Sequence, residues 1–146
     1  MSNYATENLR TLALVGHGSC GKTTLIEAML YRAGMIPEMG SIQRGTTMCD
    51  NDLLEKEVGH SIRLAVAHID TAMTDLTPVR IHILDPPGYP DYLGQDMSAL
   101  DAVKSVCAVI DPTKGPELLT RRLMAMAKER GLCRMIVINH MDDPES

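Results

Sequence analysis

Phenylalanine and tryptophan are absent from this 146-residue chain, and tyrosine occurs only 4 times. A core of stacked aromatic rings is therefore excluded. Leucine, isoleucine, valine, alanine and 11 methionines have to fill the interior, and methionine fills gaps without specifying them tightly, so the expected stability is modest. Apolar residues still make up 45% of the chain, enough for the core of one domain of ordinary size. Cysteine is sparse and scattered. Cys20, Cys49, Cys107 and Cys133 contain no C-x-x-C pair, which speaks against a zinc site or a disulfide framework and for thiols in a reducing compartment. Positive charge is also short: the net charge of -5 excludes a broad basic face gripping nucleic acid directly, while leaving room for a small docking patch. No apolar run approaches a membrane span, and the opening MSNYATENLR lacks the apolar stretch of a secretion signal. The expectation is a cytoplasmic protein with no membrane partner.

What is present alternates between two periods. LRTLALV (residues 9–15) reads as a strand buried on both faces, and KTTLIEAMLYRAG (22–34) as a helix with Leu25, Ile26, Met29 and Leu30 inward and Gly34 at its end. Residues 40–59 have no sustained period, and a connection of that length points to function rather than scaffolding. SIRLAVAHID (61–70) alternates through Ile62, Leu64 and Val66, then His68 or Ile69, as suits a half-exposed strand, and PVRIHILD (78–85) alternates likewise, with Thr74 to Pro78 joining them as a hairpin. AVKSVCAVID (102–111) is another buried strand. GPELLTRRLMAMAKERG (115–131) is a helix with Pro116 at its first position, Gly131 past its end, and Leu119, Leu123, Met126 and Ala127 inward. CRMIVINH (133–140) is the last strand. Strands alternating with helices predict an α/β fold with a mostly parallel sheet flanked by helices. His68 and His82 read as ordinary strand residues, Met124 and Met126 as packing, and Arg121, Arg122, Lys128 and Arg130 as a solvated basic face. After Asp142 only DPES remains, so the last strand is expected to form an exposed sheet edge.

Three motifs carry chemistry. GHGSCGKT (16–23) matches G-x-x-x-x-G-K-[ST] between a predicted strand and a predicted helix. There the backbone N–H groups of Gly16, His17, Gly18, Ser19, Cys20 and Gly21 form a nest for phosphates at a helix N-terminus. Lys22 is placed to bridge β- and γ-phosphates, Thr23 to offer its hydroxyl to Mg²⁺, and Thr24 to sit near the α-phosphate. Asp85-Pro86-Pro87-Gly88 follows a strand, so Asp85 is placed to hold Mg²⁺ through water and the Gly88 N–H to meet the γ-phosphate without a Cβ in the way. Asn139-His140-Met141-Asp142 ends the last strand, where an amide and a carboxylate can read guanine: the acid accepts from the N1–H and the 2-amino group, which adenine lacks. His140 stands where such motifs usually have lysine, and a neutral, shorter ring braces less. Together these predict a P-loop NTPase fold with a guanine-nucleotide site.

With the three motifs in this order, the chain resembles the N-terminal part of a translational GTPase, within the elongation-factor-G-like branch. The resemblance implies a flexible tail over residues 1–8 and a partial G domain over 9–142, cut short after the fifth strand, with a second short tail at 143–146. Within it the phosphate loop is 16–23, the first switch about 40–61, the second switch 85–94 and the guanine motif 139–142. It further implies Mg²⁺ with GTP or GDP, and the ribosome as partner. The family's first switch reads E-x-x-R-G-I-T-I; here EKEVGHSI (55–62) places Ser61 at the metal-binding threonine, with Val58 and His60 departing from the pattern. Ser19 stands where the family commonly has aspartate, which argues against an added monovalent cation. Tyr89 takes the place of the histidine that positions the attacking water. A phenol, with a reference pKa of about 10, can hydrogen-bond to water but brings no positive charge to a developing negative one. The implied catalytic set is Lys22, Gly88 and Tyr89, with slow hydrolysis. Two other readings stay open: a non-catalytic guanine-nucleotide module, favoured by Tyr89 and His140, and a P-loop ATPase or kinase, opposed by Asp142.

Overall fold

The computed structural model describes residues 4–49, 55, 61–73 and 75–142. In chain order the elements are β1 (Leu9–Val15), α1 (Lys22–Arg32), β2 (Ala65–Ala72), β3 (Pro78–Asp85), α2 (Leu93–Ala102), β4 (Ser105–Ile110), α3 (Leu118–Glu129) and β5 (Cys133–Ile138). They build one five-stranded sheet in the order β2-β3-β1-β4-β5. β3, β1, β4 and β5 are parallel neighbours, and β2 alone runs antiparallel, to β3. This is the mostly parallel α/β sheet expected from the alternation of periods.

The period of two in the strands divides the core. Ala13 and Val15 of β1, Leu84 of β3, and Val106 and Ala108 of β4 pack with Ala99 and Leu100 of α2 and with Leu123 and Ala127 of α3. The intervening residues Leu14, Ile83, Cys107 and Val109 point the other way, onto Ile26 and Leu30 of α1. Cys20, Cys49 and Cys107 all join this second cluster, and no disulfide joins cysteines among the described residues.

Four expectations need correction. β1 is buried on both faces only over Ala13–Val15, because Leu9 and Arg10 extend past the layer of helices and are exposed. β2 begins at Ala65 and turns Ala67 and Ile69 inward, leaving Val66 63% exposed. Of the face expected from Ile62, Leu64 and Val66, Val66 is thus turned to solvent, whereas Leu64, just ahead of the strand, packs against the first core cluster. α1 covers only one side of this edge strand, and that side takes the odd-numbered residues. Pro116 precedes the helix rather than opening it: α3 starts at Leu118 with Glu117 as its N-cap. The inner stripe of α3 is Thr120, Leu123 and Ala127, with Leu119, Met124 and Met126 only partly buried against it.

Gly34 and Gly131 follow their helices in left-handed conformation, as expected of helix stops. β5 is the sheet's edge, with Met135, Ile136 and Ile138 at least half exposed. His68 and His82 face each other across the β2–β3 pair, their rings 6.2 Å apart. The stretch expected as a leading tail contains a 3-10 turn at Thr6–Asn8, and the Tyr4 ring lies 4.8 Å from the Arg80 guanidinium. The departures at Val58 and His60, the hairpin residue Thr74 and the closing segment 143–146 lie outside the described residues.

Candidate nucleotide-binding site

The chain leaves the buried end of β1 at Val15, turns through residues 16–21 and enters α1. Gly21 is the N-cap of α1 with φ of +90°, a conformation that disfavours side chains. No side chain caps this helix, and its first turn carries no acid. The leading N–H groups and the helix dipole favour an anion there, with the Lys22 N–H close to the Cys20 sulfur. Lys22 is 5% exposed. Its Nζ donates to the carbonyl oxygens of Gly16 at 3.2 Å and His17 at 3.0 Å. Among the described residues, no carboxylate lies within ion-pair distance of it. An ammonium group buried without a carboxylate in direct contact is costly, and a phosphate oxygen at the loop would relieve that cost. Gly88, with φ of +76°, presses against the same place: a Cβ there would collide with Lys22 Nζ and the Gly16 carbonyl.

Beside the lysine lie three hard oxygen donors from separate parts of the chain. Thr23 Oγ1 donates to Asp85 Oδ2 at 2.7 Å, and Ser61 Oγ lies 3.5 Å from Thr23 Oγ1. Two hydroxyls and one carboxylate fit Mg²⁺, which takes one or two protein carboxylates and completes its shell with water and phosphate. No cluster of three or more His, Cys, Asp or Glu side chains occurs among the described residues, so a metal cage made wholly of such groups is not found there. Ser19, Gly21, Lys22, Thr23, Thr24, Ser61, Tyr89 and His140 line a common cleft of about 260 Å³.

Of residues 139–142, expected to read guanine, His140 lines this cleft just beyond the end of β5. Asn139 Nδ2 donates to the Cys20 carbonyl at 3.0 Å, and a Cβ on Gly21 would collide with that amide. The amide therefore braces the phosphate loop, a contact the motif spacing does not reveal. His140, at φ +54°, places Nδ1 3.3 Å from Asp111 Oδ2. The Thr113 hydroxyl and N–H, with His140 beside them, hold the Asp111 carboxyl below the usual carboxylate range. Asp142 is exposed on the following turn and does not line the cleft.

Tyr89 packs against the loop at Gly18. A Cβ on Gly18 would meet its ring and its hydroxyl. The same ring lines a second, more apolar cavity of about 380 Å³ with His17, Leu93, Leu118 and Arg122. Tyr89 is thus a partition between two spaces.

Four polar residues that sequence reasoning passed over secure the surroundings. Glu27, 1% exposed on α1, accepts from the backbone N–H groups of Gly40 and Met48 and so ties down the loop between them. Glu55 Oε1 accepts from the N–H groups of Ile62 and Arg63, both at 2.9 Å. Gln95 of α2 accepts from the Leu64 N–H and donates to the Ile62 carbonyl at 2.7 Å. Asp96 is fully buried, with neither carboxylate oxygen hydrogen-bonded among the described residues. Burial pushes its carboxyl up to about 6, against the opposing pull of the Lys22 ammonium. One signal was available: Glu27 shares the buried helical stripe of Thr23, Ile26 and Leu30, and Asp96 that of Ala99 and Leu100. A carboxylate on an inward stripe asks for a reason.

Comparison with known proteins agrees with this geometry. The family model described as the elongation factor Tu GTP binding domain matches residues 7–146. The tetracycline resistance protein TetM from transposon Tn1545 of Enterococcus faecalis is 33% identical over 131 residues, covering 90% of this chain and 20% of that protein. An elongation factor G-like protein of Mycobacterium tuberculosis is 34% identical over 134 residues, covering 92% of this chain and 18% of its own. Among solved structures, one from Thermus thermophilus superimposes with a TM-score of 0.79 at 36% identity, covering 88% of this chain and 19% of that one. The bacterial selenocysteine-specific elongation factor EF-Sec superimposes with a TM-score of 0.70 at 25% identity, covering 93% and 21%. The chain thus spans about a fifth of the length of the curated relatives it matches.

Proposed function

This chain belongs to the family of elongation factor Tu GTP binding domains, and from that premise we propose that it binds GTP and GDP with Mg²⁺ and hydrolyses GTP slowly on its own. The buried Lys22 ammonium, bonded among the described residues to loop carbonyls at the N-terminus of α1, is the observation that carries this reading. Gly16 to Thr24 would wrap the phosphates. Lys22 and the Gly88 N–H would stabilise charge on the γ-phosphate, and Thr23, Ser61 and Asp85 would hold the metal. Mg²⁺, when bound, would neutralise phosphate charge. Asn139, His140 and Asp142 would select guanine. A ribosomal partner and a cytoplasmic location follow from the kinds of protein it resembles. Titration with GTP, GDP and ATP in Mg²⁺ is the test. GTP and GDP should bind and ATP should not compete. Lys22→Ala should weaken GTP binding by roughly 10- to 100-fold, the worth of a charge-assisted hydrogen bond at about 1.5–3 kcal/mol. Unchanged affinity in that variant would sink the proposal.

The packing of Tyr89 on Gly18 favours a second reading, a guanine-nucleotide module with little turnover. Tight GTP binding without phosphate release, with and without ribosomes, would select it.

A further inference from the structure

Ser61 sits at the start of a stretch whose backbone is bound by side chains on both sides. The N–H groups of Ile62 and Arg63 go to Glu55, and the N–H of Leu64 and the carbonyl of Ile62 go to Gln95. An amide is suited to the second task because it accepts and donates at once, closing a two-bond pairing like one rung of a β-ladder. Gln95 belongs to α2, joined to Gly88 and Tyr89 by the 3-10 turn Pro90–Tyr92, whereas Ser61 lies beside Thr23, which is bonded to Asp85.

We infer that Gln95 is a positioning residue: its side-chain amide holds residues 62–64 to α2 and thereby sets the Ser61 hydroxyl against the Thr23–Asp85 pair, coupling the two segments that would flank the γ-phosphate. The inference rests on the nucleotide-binding reading above and deepens it. Gln95 touches neither nucleotide nor metal; it acts through the backbone of the residue next to Ser61. Outer partners of this kind typically alter metal affinity by 10- to 100-fold when removed.

The test uses the full chain, Gln95→Leu, Ser61→Ala and the double variant, with GTP and GDP affinities measured in saturating Mg²⁺ and in EDTA. Backbone hydrogen exchange over residues 62–64 is followed in parallel. Gln95→Leu should speed exchange at Leu64 and weaken Mg²⁺-dependent GTP binding about tenfold, while affinities in EDTA stay within twofold. Ser61→Ala should show the same loss of affinity, and the double variant no further loss. Faster exchange with unchanged Mg²⁺-GTP affinity would overturn the inference, as would additive losses in the double variant. If Gln95→Leu lacks a cooperative melting transition, Gln95→Asn, whose amide is drawn back by one methylene, is read by the same criteria. A wild-type chain that binds no guanine nucleotide would overturn the parent reading and this one together; a wild-type chain that binds, with indifferent Gln95 variants, would overturn this one alone.

Discussion

Asp96 and Tyr89 pose opposite questions at the residue scale. Asp96 is a buried acid without a hydrogen-bond partner among the described residues, and its carboxyl is raised from 3.8 to about 6. Below pH 4 the carboxyl is neutral in both folded and unfolded chains and costs nothing through ionisation. Between pH 4 and 6 the unfolded chain gives up the proton first, so stability falls as pH rises; above 6 the loss is complete and constant. Asp96→Asn, close in shape and uncharged, should therefore stabilise the fold at pH 7.5 by on the order of 1–3 kcal/mol and leave it unchanged near pH 3.5. Urea denaturation at the two pH values measures this, and an equal gain at both would show that charge is not the cause. Tyr89 is held by the loop it covers. A histidine there is smaller and can carry positive charge, so Tyr89→His should raise single-turnover GTP hydrolysis by about a hundredfold, the lower end of the usual range for a positioned acid–base group. No increase would mean that the water site is blocked by something other than the ring.

At the scale of elements, α1 contributes at its start and at its middle. Its first turn faces the cleft, and one turn further along Glu27 holds Gly40 and Met48. Glu27→Ala should cost on the order of 1–3 kcal/mol and accelerate hydrogen exchange at those two amides, while leaving exchange in β4 unchanged. Equal acceleration throughout would point to global destabilisation instead. Glu27 also shows where sequence reading stops. The phosphate loop was legible because its residues are contiguous and their spacing encodes a local turn between strand and helix. Asp85 and Asn139 were legible because each ends an apolar run. Which way β2 faces was not: Ile62, Leu64 and Val66 offered one apolar row and Ala67 and Ile69 another, and only the placement of α1 over one side decides between them. The clamps made by Glu27, Glu55 and Gln95 join residues 7 to 33 positions apart, and no periodicity reports such contacts.

On the scale of the whole molecule, the sheet is unevenly covered. Its centre is packed on both faces, whereas β5 bears Met135, Ile136 and Ile138 in the open along an unpaired edge. Such edges recruit other strands. This 146-residue chain should show concentration-dependent light scattering, and Ile136→Lys should suppress it without lowering GTP affinity; scattering unaffected by the charge would place the sticky surface elsewhere. The opposite edge answers to a different constraint. Ala65 pairs with Asp85, and the ladder runs unbroken to Ala72 opposite Pro78. Each residue of slip along that hairpin would displace the chain next to Ser61 by about 3.3 Å relative to Asp85 and reverse every side chain of β2. The length of the connection between Ala72 and Pro78, where Met73, Asp75 and Leu76 are exposed, is therefore a gauge block for the oxygens of Ser61 and Asp85 at the far end of the ribbon, and adding or deleting one residue in it would mis-set a pair of groups it never touches.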